Sequence, residues 1–86
     1  MAEQKIGVVT HYFGKIGVAA VSLTDGELAV GDTIRIKGHT SDFTQQVETM
    51  QVDHKPIEVA RIGDSVGMNV VEHAREHDEV FKVTDD

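Results

Sequence analysis

The sequence predicts an all-β protein, a small six-stranded antiparallel β-barrel. Three observations lead there. Short runs such as Thr33–Lys37 and Ser65–Val70 alternate apolar with polar or small residues, the period of a half-buried strand. Turn signals, Asp25-Gly26 and Gly63-Asp64 among them, separate these runs at intervals of roughly 8–14 residues. No segment sustains the apolar period of an amphipathic helix.

Ile6–Phe13 is the first expected strand, and Gly14-Lys15-Ile16-Gly17 turns it. Val18–Leu23 returns. Gly17, Ala19, Val21 and Leu23 share one face and Val18, Ala20 and Ser22 the other, so both faces are small or apolar. That predicts a central strand with close backbone approach at its start. Leu28–Asp32 sets up the next turn. In Thr33–Lys37, Ile34 and Ile36 point inward while Thr33, Arg35 and Lys37 point outward. Gly38–Asp42 is a polar loop. Phe43–Val52 reads as one longer strand whose Val47, Met50 and Val52 slip out of phase, which a bulge near Thr49 explains. Pro56 has no N–H to give a ladder and should take the chain out of the sheet. Gly63-Asp64 then turns into Ser65–Val70. Glu72–Asp78 is a polar connection, and Glu79–Val83 is the last strand, with Phe81 and Val83 inward.

The 86 residues make one domain, 1–86, near the lower end of what folds alone. A chain of this size buries only about 60–65% of its unfolded surface, too little for a large enclosed active site. There is no cysteine, so neither disulfides nor a thiolate zinc site can supplement the core. The opening residues lack the apolar run of a signal peptide, and no stretch approaches the ~20 apolar residues of a membrane span. A soluble, cytoplasmic protein with no membrane association is expected. Fifteen acidic residues against eight basic ones give a net charge of −7, and the basic residues are dispersed. Phosphate backbones reward the opposite balance. A short acidic tail, Asp85-Asp86, ends the sequence.

His73-Ala74-Arg75-Glu76-His77 has the H-x-x-E-H spacing of some zinc peptidases, in which a helix turns both imidazoles toward one metal. Here it falls in a charged link between strands with no third ligand, and reads as a solvated connection. Gly14-Lys15-Ile16-Gly17 lacks the spacing, the hydroxyl residue and the following helix of a phosphate-binding loop, and reads as a hairpin turn. His11, His39 and His54 are scattered over three elements. Ser22, Ser41 and Ser65 lack a nucleophile-elbow context. No acid, base and nucleophile converge, so neither enzyme activity nor a metal or other cofactor is expected.

Residues 47–70, Val-Glu-Thr-Met-Gln-Val-Asp-His-Lys-Pro-Ile-Glu-Val-Ala-Arg-Ile-Gly-Asp-Ser-Val-Gly-Met-Asn-Val, resemble the second domain of Tu-class translation elongation factors, with its Gly-Asp-x-Val-Gly. Gly17–Val21 and Leu28–Ile36 look like that domain's Gly-x-Val and Val-Gly-Asp signatures. An even closer likeness is to the barrel appended to collagenase-like peptidases, in Val-Thr-His-Tyr-Phe (9–13), Ile-Lys-Gly-His-Thr (36–40) and Asp78–Val83. The resemblance implies a stand-alone barrel of the translation-protein domain II type. In the elongation factors that barrel helps hold the aminoacylated end of tRNA and touches the ribosome and the GTPase domain. The family's acidic contact to the terminal adenosine falls on Gln51, and its nearby basic residue on His54. Neither a P-loop nor Asn-Lys-x-Asp is present, so GTP binding is not expected.

The expected function is a noncatalytic adaptor that binds RNA or a ribonucleoprotein, tRNA or ribosome, through the loops at 38–42 and 53–64. His39, Gln51, His54, Lys55, Asp64 and Ser65 are the candidate binding residues. The alternative is a protein–protein accessory module for a collagenase-like peptidase or RNA-modification partner. The acidic charge favours it, because a protein partner does not demand a basic face. Gly63, Asp64 and Gly67 are turn and close-approach residues first.

Overall fold

The alternating segments pair into antiparallel ladders. A computed structural model describes residues 2–84; the Asp85-Asp86 tail lies outside them. The strands are β1 (Ala2–Phe13), β2 (Val18–Leu23), β3 (Leu28–Ala29), β4 (Thr33–Lys37), β5 (Asp42–Gln46), β6 (Met50–Val52), β7 (Lys55–Ile57), β8 (Val59–Ala60), β9 (Ser65–Asn69) and β10 (Glu79–Thr84). Eight of them form one antiparallel sheet in the order β5-β4-β10-β1-β2-β9-β6-β7, and β3 pairs with β8 in a two-stranded ribbon. The all-β antiparallel class is the predicted one. The strand count exceeds six because short pairings occur where turns and loops were expected.

The inward face of each alternation builds the core. Val9, Val21, Ile34, Ile36, Val66 and Val80 are all buried; each such side chain contributes ~1.5–3 kcal/mol on leaving water. As predicted, β2 is central, between β1 and β9. Its close backbone approach lies near its far end, where Gly7 packs on the carbonyl of Ser22.

Four local expectations are corrected. Phe43–Val52 is not one bulged strand: β5 pairs with β4, the chain leaves the ladder at Val47–Thr49, and β6 pairs with β9. Val47 makes the crossing, buried, with its N–H donated to Asp32 O and its carbonyl accepting from Gly31 N. The bulges lie in β1 instead, between Lys5 and Gly7 and between Val9 and His11, where one long strand bends to serve β10 and β2. Pro56 stays in the sheet, opposite Gln51 on β7. It is tolerated because β7 is the edge, where a missing N–H costs no ladder bond. On β10 the phase is reversed: Val80 is buried, while Phe81 and Val83 are half-exposed.

β5, one edge of the sheet, is also tied to the end of β9 without a ladder between them. The Gln45 side-chain amide, on β5, donates to Asn69 O at 2.9 Å and accepts from Val71 N at 2.7 Å, one step of a strand pairing supplied by a side chain.

Three strands start from the same turn. Asp32, Asp64 and Asp78 each accept, through Oδ2, the N–H of the residue three earlier, at 2.9, 3.0 and 2.9 Å. Each returns its own N–H to that residue's carbonyl. The residue before the aspartate has positive φ in every case: Gly31 at 98°, Gly63 at 97° and His77 at 74°. Glycine enters that region freely, and histidine is among the few others found there.

Outside the core, Arg35 on β4 grips Asp42 through Nε and Nη2, both at 2.8 Å, and reaches Glu3 through Nη1 at 3.1 Å. These charge-assisted hydrogen bonds hold the Asp42 carboxyl below the usual carboxylate range and raise Arg35. A carboxyl whose pKa is depressed by folding stabilises at neutral pH, and that contribution is lost as pH falls through its folded value. Acid unfolding of the native chain below about pH 4 should therefore be steeper than that of Asp42→Asn. Parallel stability–pH curves for the two would overturn the assignment.

Candidate functional site

On the outer face of β2, β9 and β6, Ala20, Gly67 and Gln51 stand side by side in register, behind the buried row Ala19, Met68 and Met50. Small residues at two of three outer positions leave a trough of about 360 Å³. A Cβ placed on Gly67 would meet Val18 Cγ1 at 3.5 Å and Gln51 Cγ at 3.6 Å, ordinary contact, so the floor at Gly67 has room for a methyl group between these side chains. Phe13, the last residue of β1, Ile16, from the β1–β2 turn, and Asp53 and His54, from the β6–β7 turn, line the trough with Ser65.

The lining is presented by local structure. The His11 ring meets Phe13 edge-on at 4.5 Å between centroids and braces it, 45% exposed. Ile16 tops a tight turn in which Gly17 N–H bonds back to Phe13 O at 2.9 Å, and stays 69% exposed. Asp53 and His54 join Val52 to Lys55 with φ of 52° and 65°, a type I′ hairpin turn. Such turns favour glycine at the second position, so His54 is held there against its preference. His54→Gly should raise stability by about 0.5–1 kcal/mol while weakening any ligand of the trough. Thermal unfolding checks the first part, and a fall in Tm would refute the strain.

Of the six residues expected from sequence, Gln51, His54 and Ser65 meet in this trough. Lys55 sits beside it on the edge strand β7, opposite Val52. Asp64 is used by its own turn. His39 lies elsewhere, in a second hollow of about 580 Å³ lined by Lys5, Lys37, His39, His77, Glu79 and Phe81, among others. The sequence reading missed Phe13, Ile16 and Ala20. Ile16 carried the one available signal, an aliphatic residue at a turn tip.

The H-x-x-E-H spacing does not produce a shared face. Residues 72–78 form no helix; His73 stacks on Tyr12 at 4.4 Å, and His77 lines the second hollow.

No family model matches the chain. Over 78 residues, 90% of the chain, it is 37% identical to an uncharacterized protease of Methanocaldococcus jannaschii. Over an equal length it is 32% identical to a collagenase of Porphyromonas gingivalis. The chain spans about a fifth of the length of these curated relatives, 19% and 22%. Among solved structures, the C-terminal domain of a putative U32 peptidase from Geobacillus thermoleovorans superposes with a TM-score of 0.87. The match covers 94% of this chain and 93% of that one at 21% identity, which shows a shared fold. These similarities fall on the collagenase-like side of the sequence resemblance and carry no elongation-factor identity. No helix among the described residues is long and apolar enough to cross a membrane.

Proposed function

We propose that the chain is a noncatalytic accessory module that binds a protein partner, a collagenase-like peptidase or a protein related to one, through the trough between its β1–β2 and β6–β7 turns. The observation that carries this reading is the presentation of Phe13 and Ile16 to solvent beside a floor of small residues. Apolar anchors around a depression are what a protein interface needs at its centre. Similarity to segments of a protease and a collagenase supplies the class of partner. The net charge of −7 weighs against the rival, an RNA or ribonucleoprotein partner in the cytoplasm.

The test is titration of the chain against a putative U32 peptidase from which the C-terminal domain has been removed. Stoichiometric binding is expected, weakened about 10- to 100-fold by Ile16→Asp, which puts a charge at an apolar anchor. Gly67→Val, which fills the floor, should do the same with little loss of stability. Saturable, salt-sensitive binding of tRNA without peptidase binding would reverse the reading.

A further inference from the structure

We infer that the partner segment held in the trough is an amphipathic α-helix, laid along β2 and β9 and reaching past the trough to Val71. This rests on the accessory-module reading above and names the kind of segment such a module holds. The outer face of the two strands is a row of register pairs, Ser22–Ser65, Ala20–Gly67 and Val18–Asn69. Ala19, Val21, Val66 and Met68, which alternate with them in sequence, are buried on the other face. Beyond the last pair Gly17 O accepts the Val70 N–H at 2.9 Å, so Ile16 and Val71 lie at the same end of the row. They are the two most exposed large apolar residues among those described, at 69% and 71%. Val71 is pinned there, its N–H donated to Gln45 Oε1 at 2.7 Å. No residue of the row or of its apolar end is charged, although 27% of the chain is.

The floor decides the form of the segment. β2 is laddered on both edges, to β1 and to β9, and β9 is laddered to β2 along its length and to β6 at Gly67 and Met68. At the far end of β9, Gln45 takes Asn69 O and Val71 N–H. The row therefore offers a ligand side chains to pack on and no backbone to pair with. A single extended segment lying here would find no ladder for its own N–H and C=O groups. A helix satisfies those groups internally and needs only an apolar stripe to cover the face. Ala20 and Gly67, in the middle of the row, let its backbone come close. Phe13, paired with Val18, joins Ile16 and Val71 as the apolar contacts at one end. Six residues of extended chain separate Ser65 from Val71, about 20 Å, the length of about 13 helical residues.

The spacing along the partner is the test. The chain has no cysteine, so Ser65→Cys and Val71→Cys each carry a benzophenone label at one defined point. Each is photo-crosslinked to the U32 peptidase that lacks its C-terminal domain, and the attachment points on the peptidase are located by mass spectrometry. A helix puts the two points roughly 10–14 residues apart in the peptidase sequence, at 1.5 Å per residue. An extended segment puts them about six apart, at about 3.3 Å per residue. Val71→Asp should weaken binding about tenfold and leave Tm unchanged, since its side chain stands in water. Val59→Asp, also at an exposed apolar residue but on the β3–β8 ribbon, should bind as the native chain does. Points about six residues apart, or scattered over separate segments, would overturn the helix, and so would a Val71→Asp chain that binds normally. Failure of the native chain to bind the peptidase at all would instead overturn the accessory-module reading on which the helix rests.

Discussion

Gly7→Ala is expected to cost the fold about 2–3 kcal/mol, at the upper end for an added methyl group. Gly7 is buried on β1, opposite Leu23, and a Cβ there would run into the carbonyl oxygen of Ser22 and lie 3.2 Å from Leu23 Cα. Both obstacles are backbone, so no side chain can swing aside. β1 is held on both edges, by β10 and β2, and one ladder must shift to admit the methyl group. In urea the midpoint should fall with little change in slope, and Tm should drop by about 4–8 °C for each kcal/mol lost. Gly67→Ala is the matched control: also mid-strand, but with its Cβ in ordinary contact, it should change stability by no more than about 0.5 kcal/mol. Equal losses at the two positions would show that glycine flexibility, not the Ser22 carbonyl, governs the effect.

The second large effect is expected at Gly38. A methyl group there needs the space held by the Asp78 carboxylate, which would have to withdraw from the Arg75 N–H and from its buried place. A loss of about 2–3 kcal/mol follows from overpacking together with an abandoned hydrogen bond. Because the clash is with one removable side chain, the effect is testable as a coupling. Asp78→Ala alone should destabilise, but Gly38→Ala made in that background should cost little, giving an interaction energy of about 1–3 kcal/mol. Simple additivity would mean that the two residues do not meet.

Elements whose alternation was unambiguous were legible from sequence. Ile34 and Ile36 on β4, and Val66 and Met68 on β9, face inward as their spacing requires. β10 was misread because its two faces compete: Phe81 and Val83 on one, Val80 and Lys82 on the other. Counting apolar residues favours the wrong face. Lys82 is accommodated on the Val80 side because its amine reaches Asp32 at 3.1 Å, leaving the alkyl stem against protein. Residues 47–49 hid a strand switch because loss of period looks alike whether the chain bulges or departs. Pro56 argues against an interior strand only, and nothing local says which strand becomes an edge. The trough was half legible. Gln51, His54 and Ser65 belong to the stretch that carries the family resemblance, whereas Phe13, Ile16 and Ala20 arrive from the far side of a ladder that sequence alone does not align. Ala74, buried within the expected polar connection, escaped for want of any periodic neighbour.

The seam at Gln45 has a consequence for how the molecule comes apart. Parting β5 from the end of β9 there breaks two hydrogen bonds of one amide, whereas peeling β4 from β5 undoes five facing residue pairs. A clasp so much weaker than the bands it joins makes opening stepwise, with the clasp undone first and the ladders after. How far that first opening can go is bounded, because residues 47–49 run from β5 straight into β6, which stays laced to β9.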